Sequence, residues 1–245
     1  MLNLYNNMVS RQKEIFSEDE QELLRNTPIV IMGCGGLGGT IIEQFVRSGF
    51  EKLTIIDQDV FDETNLNRQI RSNIDTIGKS KVEVTKLAME KINPNVNITC
   101  YDLTVNQKNI SDILKGNKIL VDAVDNVYTR VLISREARKQ RMLFVHSAVE
   151  KTMGQLSVFE PDSISYEELF KLKSAGKSLN EDVKKYLLSI SSKKPQVLGV
   201  TPAIFASLQV NETIKYILNK KGVVLAPTVL MWDIFDMSSF RLIDF

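Results

Sequence analysis

The sequence Gly33-Cys34-Gly35-Gly36-Leu37-Gly38 follows an apolar stretch at 29–32 and opens a helical pattern at 37–48. Glycines at such a junction permit a tight turn and let a phosphate approach the main chain. The helix start adds unpaired N–H groups and the positive end of its dipole, both of which favour a bound anion. Asp57 closes the next apolar stretch, at 53–56, where it is placed to accept hydrogen bonds from a ribose. The pattern predicts a nucleotide site at the end of a β-strand, without specifying the nucleotide.

Composition limits the classes of protein to consider. With 245 residues, of which 43% are hydrophobic, the chain can bury a sizeable core. Its 31 Lys and Arg nearly balance its 30 Asp and Glu, so no overall field attracts nucleic acid or an anionic membrane. It has neither an apolar run of about 18 residues, which a membrane-spanning helix needs, nor an N-terminal secretion signal. We therefore expect a cytoplasmic protein without a membrane or nucleic-acid partner.

Cysteine and histidine are too few for a structural zinc site. The chain contains only Cys34, Cys100 and His146, whereas such a site takes four ligands, usually from Cys-x-x-Cys pairs. Two isolated cysteines in a cytoplasmic protein give no reason to expect a disulfide. Cys34, at a helix start, has either a lowered thiol pKa or, as we favour, a packing role in the glycine loop. Cys100 ends a strand and is expected to be buried.

Short apolar stretches alternate with helical patterns through the first 150 residues, which predicts βαβ units. Beyond 154 follow an alternating strand, a long apolar helix at 198–218 and two closing strands. The predicted fold class is α/β, with a Rossmann-like, mostly parallel central sheet, helices on both faces and antiparallel C-terminal strands. The polar, Lys-rich segment at 160–196 is interpreted as either a mobile lid or a solvated helical insertion.

We expect one domain over residues 1–245. Its predicted parts are an N-terminal helical arm (1–27), a nucleotide-binding part (28–150) and a substrate and dimerisation part (151–245).

A group of charged residues beyond the glycine loop changes the expected ligand. Asp59, Arg68 and Lys81 follow Asp57 at short intervals. A nicotinamide enzyme needs little positive charge here beyond its pyrophosphate contact. A site that cleaves a triphosphate needs more, because charge builds on the phosphoryl oxygens in the transition state. Arg68 can hold a phosphate with its planar fork and Lys81 supplies a compact charge, so the sequence favours a triphosphate.

Two carboxylates follow another apolar stretch, in the sequence Val121-Asp122-Ala123-Val124-Asp125-Asn126. They leave a predicted strand at the carboxyl edge of the sheet, where open α/β sheets bind ligands. A carboxylate among phosphates is suited to coordinate Mg²⁺. We therefore expect Mg²⁺ to accompany the triphosphate.

Taken in this order along the chain, these sequence motifs resemble those of the ThiF/MoeB/HesA adenylyltransferases, the bacterial and archaeal relatives of ubiquitin-activating enzymes. The resemblance covers the chain from about residue 11 onward. The glycine loop alone is weak evidence for this family, whereas the whole set of motifs in this order is highly specific for it. The matching pieces are Gly33-x-Gly35-Gly36-x-Gly38, Asp57-x-Asp59, Asn65-x-x-Arg68-Gln69, Lys81-Val82-Glu83, Ile92-Asn93-Pro94, Asp122-x-x-Asp125-Asn126-x-x-x-Arg130, Gly154-Gln155-Leu156-Ser157-Val158-Phe159 and Ser207-Leu208-Gln209-x-x-Glu212-x-Ile214-Lys215.

The resemblance implies a reaction in which a carboxylate attacks the α-phosphorus of Mg-ATP, giving an acyl-adenylate and pyrophosphate. The implied cofactors are ATP and Mg²⁺, without zinc. A homodimer is also implied, in which Arg11 of one subunit reaches the ATP site of the other, the alternative being an exposed structural arginine. Arg68, Lys81, Asp125 and Arg11 are the implied catalytic residues, and Asp125 is the implied metal ligand. The implied nucleotide-binding residues are Gly33, Gly35, Gly36, Gly38, Asp57, Asp59, Asn65, Arg68, Gln69, Lys81, Asp125, Asn126 and Arg130.

Two features set this chain apart from many of these proteins. The two Cys-x-x-Cys pairs that hold zinc in many relatives are absent, which implies a zinc-free branch. Some relatives receive the activated acyl group on a crossover-loop cysteine, but the corresponding segment at 160–196 has no cysteine. We therefore predict adenylation without a thioester on this protein. His146, expected at the same sheet edge as Asp125, either orients the incoming carboxylate or, as we favour, is a satisfied structural histidine.

Several functions are compatible with the sequence. The leading one is activation of the C-terminal glycine of a ubiquitin-like sulfur-carrier protein. The same chemistry on a small-molecule carboxylate in cofactor biosynthesis, such as the pyridinol carboxylate of the Fe-hydrogenase cofactor in methanogens, is the first alternative. The chain also resembles the tRNA threonylcarbamoyladenosine dehydratase branch, which shares the motif Thr64-Asn65-x-Asn67-Arg68-Gln69, although the neutral net charge argues mildly against a tRNA substrate. An NAD-binding oxidoreductase or an inactive nucleotide-binding scaffold is the alternative of another class.

Overall fold

The computed structural model describes residues 2–191 and 196–245, and a single eight-stranded sheet forms its centre. The strands are β1 (Ile29–Met32), β2 (Lys52–Ile56), β3 (Asn97–Tyr101), β4 (Ile119–Asp122), β5 (Leu143–Glu150), β6 (Met153–Phe159), β7 (Thr228–Asp233) and β8 (Arg241–Asp244). Their order across the sheet is β3-β2-β1-β4-β5-β6-β7-β8.

The pairing changes from parallel to antiparallel at β5. Strands β1 to β5 pair in parallel, and β6, β7 and β8 pair antiparallel with their neighbours. All residues of β1 and β4 are buried, as is usual for parallel strands covered by helices on both faces. The predicted α/β fold with antiparallel C-terminal strands is confirmed.

Nine α-helices surround the sheet in the described residues. They are α1 (Leu2–Met8), α2 (Glu18–Asn26), α3 (Gly36–Arg47), α4 (Lys81–Glu90), α5 (Ile110–Leu114), α6 (Val127–Lys139), α7 (Tyr166–Leu169), α8 (Glu181–Ile190) and α9 (Val200–Ile217).

The sequence predicts a helix over 79–91, but α4 begins two residues later because the preceding residues are paired as extended chain. Ser80 forms a β-bridge with Val60, and the N–H of Phe61 donates to the Lys79 carbonyl at 3.0 Å. Lys81 is therefore the first residue of the helix, and its N–H donates to the Asp59 carbonyl at 3.0 Å. This pairing brings Lys81 to the loop that follows β2.

Alternate residues of the strands build two cores, one on each face of the sheet. Ile31 and Val121 face a core that includes residues of α3, α4 and α9, whereas Val30 and Leu120 face one that includes residues of α5 to α8. The two-residue period of a strand places neighbours on opposite faces. Each helix layer thus buries one apolar side of the sheet.

Helix α9 places buried polar groups behind the middle of the sheet. The Nε2 of Gln209 donates to the carbonyls of Asp122 at 2.8 Å and Val145 at 3.1 Å. Phe205 occupies the space beside Gly154, where any Cβ would overlap its ring. The end of β4 and the first half of β5 are therefore fixed to the longest helix of the described chain.

The segment after β6 contains α7 and α8 and is attached to α6 by an ion pair. Arg135 donates to Glu167 through Nε at 2.6 Å and Nη2 at 2.7 Å, and also to the carbonyls of Lys177 and Ser174. This part of the predicted 160–196 segment is a helical insertion packed on the body of the molecule. Residues 192–195 of that segment lie outside the described residues. None of the helices in the described chain is long and apolar enough to cross a membrane.

Candidate functional site

A cleft of about 660 Å³ opens at the carboxyl ends of the parallel strands. The structure brings twelve of the fourteen sequence-predicted site residues together around it, while Gly38 and Arg11 do not line it. The twelve are Gly33, Gly35, Gly36, Asp57, Asp59, Asn65, Arg68, Gln69, Lys81, Asp125, Asn126 and Arg130.

The loop glycines fall into two kinds. Gly33 has a φ of +103°, and a Cβ there would lie 2.6 Å from the Ala123 carbonyl oxygen; a Cβ at Gly38 would overlap the carbonyl of Gly33. These two permit close packing of β1, α3 and the end of β4. Gly35 and Gly36 would have Cβ neighbours only at 3.5 Å or beyond, and both border the cleft. They leave the helix start open to a ligand.

Asp57 connects the end of β2 to the glycine loop. Its Oδ2 accepts from the N–H of Cys34 at 2.7 Å, and its Oδ1 accepts from the N–H of Asp59 at 2.8 Å. Burial raises the pKa of Asp57 above its usual value, although these N–H groups and Lys81 favour the carboxylate. Each oxygen retains a further lone pair, so the carboxylate can still accept from a hydroxyl in the cleft.

Two cationic side chains border the cleft, one paired with a carboxylate and the other not. Lys81 is only 5% exposed and its Nζ lies 3.0 Å from Oδ2 of the exposed Asp59. Arg68 donates through Nη1 to the carbonyl of Thr64 at 2.7 Å and to Oδ1 of Asn67 at 2.9 Å. Among the described residues Arg68 has no carboxylate partner, so its charge is available to an anion.

Asn65 and Gln69 shape the loop that carries Arg68. Oδ1 of the buried Asn65 accepts from the N–H of Asp62 at 3.2 Å, completing a capping box at the 3₁₀ turn Glu63–Asn65. Oε1 of the buried Gln69 has no partner in the described structure, and the side chain lies opposite Gly35. A buried amide oxygen without a partner beside an open cradle fits a site that receives a polar ligand.

The two carboxylates after β4 have different positions, which the sequence could not distinguish. Asp125 is exposed in the cleft, directly before Asn126, whose Oδ1 caps α6 by accepting from the Thr129 N–H at 2.8 Å. Asp122 is fully buried and points away from solvent. Of the two expected carboxylates, only Asp125 is available to a cation in the cleft.

Asp122 and Arg130 brace the loop that presents Asp125. Nε of Arg130 lies 2.6 Å from Oδ2 of Asp122, and its Nη2 donates to the Val124 carbonyl. Oδ1 of Asp122 accepts from the Val124 N–H at 3.1 Å. Burial opposes ionisation of Asp122, but Arg130 and His146 outweigh it and hold the pKa below its usual value. The guanidinium of Arg130 is therefore already paired, although the residue reaches the cleft wall.

Comparison with known families identifies this arrangement. The model of the ThiF family matches residues 9–244. This chain belongs to the ThiF family.

Two curated relatives of this ThiF-family chain indicate its place among known proteins. It is 29% identical over 225 residues to the SAMP-activating enzyme E1 of Haloferax volcanii, covering 92% of this chain and 79% of that protein. It is 33% identical over 219 residues to the probable molybdopterin-synthase adenylyltransferase of Gracilaria tenuistipitata var. liui. That match covers 89% of this chain but only 58% of the algal protein.

Solved structures confirm the fold. The crystal structure of E. coli MccB with ATP aligns over 97% of this chain and 70% of that chain, with a TM-score of 0.77 and 23% sequence identity. The likeness covers the parallel and the antiparallel parts of the sheet.

Arg11 lies away from the cleft of its own chain. It is exposed in the 3₁₀ turn Ser10–Gln12, while its neighbour Gln12 donates to Oε1 of Gln21 at 2.7 Å and to the Ser48 carbonyl at 2.9 Å. The turn is thus fixed to the end of α3 with Arg11 facing outward. Arg11 therefore does not line the cleft of its own chain.

The two cysteines are packing residues in the structure. Cys34 is fully buried, and burial raises the pKa of its thiol well above its usual value, so a lowered pKa at this helix start is excluded. Cys100 is half-buried rather than buried, and burial raises its pKa to about 11. Neither thiol is activated as a nucleophile.

Sequence reasoning missed one wall of the cleft, formed by the β5–β6 hairpin and its surroundings. A signal for it was present in the family match at Gly154-Gln155, but nothing in the sequence showed that the side chain of Gln155 faces the ligand space. The additional lining residues are Ala148, Val149, Glu150, Lys151, Met153, Gln155, Pro202 and Met231.

The donors in the cleft fit a magnesium ion that arrives with a phosphate ligand. Within residues 2–191 and 196–245, no group of three or more His, Cys, Asp or Glu side chains is arranged to hold a metal. Mg²⁺ commonly takes one or two protein carboxylates together with substrate phosphates and water. Asp125, exposed next to the phosphate cradle, matches that requirement.

Proposed function

We propose that this chain is an ATP-dependent adenylyltransferase that activates a carboxylate as an acyl-adenylate and releases pyrophosphate. The observation that carries the proposal is the meeting of the open glycine loop with Arg68, Lys81 and Asp125 around one cleft. A dinucleotide needs a phosphate cradle and a ribose acceptor, whereas a triphosphate that is cleaved also needs positive charge nearby. The cleft contains all of these groups.

The ligand roles follow from position and charge. The N–H groups at Gly35 and Gly36 face the phosphates, and Asp57 accepts from the ribose hydroxyls. Arg68 binds the triphosphate with its guanidinium, which has no carboxylate partner among the described residues. Asn65 and Gln69 hold the loop that carries Arg68 and supply amide groups. Lys81 exchanges its carboxylate partner Asp59 for phosphate oxygens.

Asp125 and its neighbours complete the proposed site. Asp125 binds the magnesium of Mg-ATP, whose charge offsets that of the phosphates, and Asn126 fixes the loop at the start of α6. Arg130 holds this loop through Asp122 and Val124. Together these groups place a preorganised positive field where charge develops on the α-phosphorus oxygens.

We propose the C-terminal glycine of a ubiquitin-like sulfur-carrier protein as the activated carboxylate. The names of the relatives support this choice, since molybdopterin-synthase adenylyltransferase and SAMP-activating enzyme E1 both denote activation of a protein. With cysteines only at positions 34 and 100, the chain has no thiol in 160–196 to receive the acyl group. The acyl-adenylate therefore passes to a partner or a soluble nucleophile.

Ligand binding separates this proposal from an oxidoreductase. Mg-ATP should raise the melting temperature, because a ligand at 100 times its Kd stabilises the folded state by about 2.7 kcal/mol. NAD should have no such effect. Stabilisation by NAD and not by Mg-ATP would contradict the proposed function.

Catalysis is tested by ATP–pyrophosphate exchange, run separately with a sulfur-carrier protein and with candidate small carboxylic acids. Lys81→Ala should lower the exchange rate by about 10²- to 10³-fold, the usual effect of losing one preorganised contact. Lys79→Ala, which removes an exposed lysine two residues away, is the matched control and should retain the rate. Equal rates for the two variants would exclude the assigned role of Lys81.

A further inference from the structure

A buried polar chain runs from the base of the Asp125 loop to the far wall of the cleft. Oδ2 of Asp122 lies 2.7 Å from Nδ1 of His146, and Nε2 of His146 lies 3.1 Å from the side-chain nitrogen of Gln155. Asp122 and His146 are fully buried, whereas Gln155 is part of the cleft wall. His146 and Gln155 lie on the same face of the β5–β6 ladder, because His146 pairs with Ser157 and Gln155 pairs with Ala148, two positions along the ladder.

The partners of His146 determine where its proton lies. Asp122 is ionised, since Arg130 is bonded to it at 2.6 Å, so Nδ1 of His146 must carry the proton that it donates. Burial lowers the pKa of His146 below its usual value, which keeps the ring neutral. Nε2 is then an acceptor, and only the amide NH₂ of Gln155 can satisfy it.

Aromatic side chains hold the imidazole in this orientation. The ring of Tyr166 is centred 5.0 Å from that of His146, and the ring of Phe170 is 5.5 Å away. Phe144 and Phe159 pack at 6.2 and 6.5 Å. The ring is enclosed by apolar faces, so it cannot turn to exchange its two nitrogen atoms without disrupting the packing.

The direction of the Gln155 amide is fixed as a result. Its nitrogen contacts Nε2 of His146, which leaves Oε1 as the amide group without a hydrogen-bond partner among the described residues, on a residue that lines the cleft. Asp57 directly follows β2 and Gln155 lies in β6, and these two strands are four strand spacings of about 4.8 Å apart, or about 19 Å. Gln155 is therefore at the opposite end of the cleft from the ribose acceptor, beyond Asp125.

We propose that His146 is a positioning residue that holds the Gln155 carbonyl oxygen in the cleft to accept an amide N–H from the tail of the acyl substrate. The inference rests on the proposed adenylation and narrows its substrate to a peptide C-terminus. A carboxylic acid without a neighbouring N–H leaves this acceptor unpaired, which costs affinity.

Nuclear magnetic resonance tests the orientation without any substrate. His146 is the only histidine, so ¹⁵N-histidine labelling of the untagged protein gives a single pair of ring signals. We expect a neutral ring protonated at Nδ1, and a shift of the Nε2 signal in Gln155→Met. A proton on Nε2, or a doubly protonated ring at neutral pH, would overturn the inference, because Gln155 would then present its NH₂ to the cleft.

Substrate recognition is tested with a sulfur-carrier protein in which the last or the penultimate amide is replaced by an ester. In the wild-type enzyme, one of the two esters should raise the KM for the carrier by about three- to tenfold, the usual effect of losing a neutral hydrogen bond. In Gln155→Met, the same ester should cause no further increase. Gln44→Met, on the exposed side of α3, is the matched control and should behave as wild type.

A double-mutant cycle that combines His146→Phe with Gln155→Met shows whether the histidine acts through Gln155. The His146→Phe variant keeps a ring in the aromatic enclosure but removes both hydrogen bonds. It should raise the KM for the carrier and leave the KM for ATP unchanged, and its effect should not add to that of Gln155→Met. Additive effects, or an ester penalty that survives in Gln155→Met, would overturn the inference.

The same measurements distinguish a wrong role for His146 and Gln155 from a wrong assignment of adenylation. Absence of exchange with every carboxylate contradicts adenylation, while the ring signals still report on His146. Normal exchange with an unaltered ester response in Gln155→Met contradicts only the inference.

Discussion

The glycines of the loop differ in what surrounds the position of the missing Cβ atom. Gly38 and Gly33 are pressed against backbone, whereas a Cβ at Gly36 would make only ordinary contacts, at 3.5 Å from Pro202. The sequence shows four glycines of equal appearance, and only the packing separates those needed for the fold from those needed for a ligand. This difference can be measured.

We predict that Gly38→Ala destabilises the fold while Gly36→Ala chiefly weakens Mg-ATP binding. The added methyl at Gly38 overlaps the Gly33 carbonyl, so the unfolding free energy should fall by about 3 kcal/mol or more. At Gly36 the methyl finds ordinary contacts at 3.5 Å, but it occupies the surface where phosphate approaches. Urea unfolding and calorimetric titration with Mg-ATP measure the two effects, and an equal loss of stability in both variants would refute the distinction.

A second prediction at this scale concerns the pH dependence of stability. The pKa of His146 is lowered by burial, so the folded chain resists a proton that the unfolded imidazole accepts with a pKa of about 6.5. The contribution of His146 is therefore fully present above that pH and is lost as the pH falls. Wild type should lose unfolding free energy from pH 8 to pH 5 more steeply than His146→Gln. Parallel curves would show that the ring is not held neutral.

Single residues also show where sequence reasoning reaches its limit. Asp122 and Asp125 are three positions apart and both follow the same apolar stretch, but one is buried against Arg130 and the other faces the cleft. Which of the two carboxylates is buried depends on where β4 ends and on Arg130, which lies eight residues after Asp122 in α6. A pattern of residue types predicts a carboxylate at this edge, but it does not predict which one points outward.

At the scale of elements, the mostly parallel sheet and the two helix layers were predictable because short apolar stretches alternate with helical patterns, whereas the order of the strands across the sheet was not predicted. The residues at which the elements begin and end were harder to predict. Helix α4 starts at Lys81 because Ser80 forms a β-bridge with Val60, and a sequence pattern does not show such a tertiary contact. The segment beginning at Glu160 had two interpretations on sequence alone. Its attachment through Arg135 shows that the described part is a helical insertion, and that this insertion is packed on α6 rather than only solvated.

We predict that Arg135→Ala releases this insertion. Arg135 loses its bonds to Glu167, which is largely buried, and to two backbone carbonyls, so breaking the pair should cost about 3 kcal/mol of unfolding free energy. Limited proteolysis should then cut within α7 or α8 earlier than in wild type. Arg141→Ala, which breaks an exposed pair with Asp162, is the control and should change neither measurement appreciably. Unchanged protease resistance in Arg135→Ala would show that the apolar contacts alone hold the insertion.

At the scale of the whole molecule, the cleft of one protomer lacks the predicted Arg11. Large apolar side chains are exposed in two parts of the chain, Ile70 and Ile74 in one and Phe235 and Met237 in the other, with Ile74 85% exposed. Exposed apolar side chains of this size are typical of surfaces that contact a partner. Both features favour the proposed homodimer, in which the N-terminal turn of one subunit serves the site of the other.

Mixed dimers of Arg11→Ala and Asp125→Ala subunits test this arrangement directly. Each homodimer should have little exchange activity, because every site lacks one of the two groups. If Arg11 acts in trans, a mixed dimer has one complete site, formed by Asp125 of the Arg11→Ala subunit and Arg11 of its partner. Random mixing makes half of the dimers mixed, so activity should recover to about a quarter of wild type. Lys13→Ala, an exposed cation next to the same turn, is the control and should leave activity unchanged in its homodimer. No recovery on mixing would contradict action of Arg11 in trans, and full activity of the Arg11→Ala homodimer would place Arg11 outside the reaction.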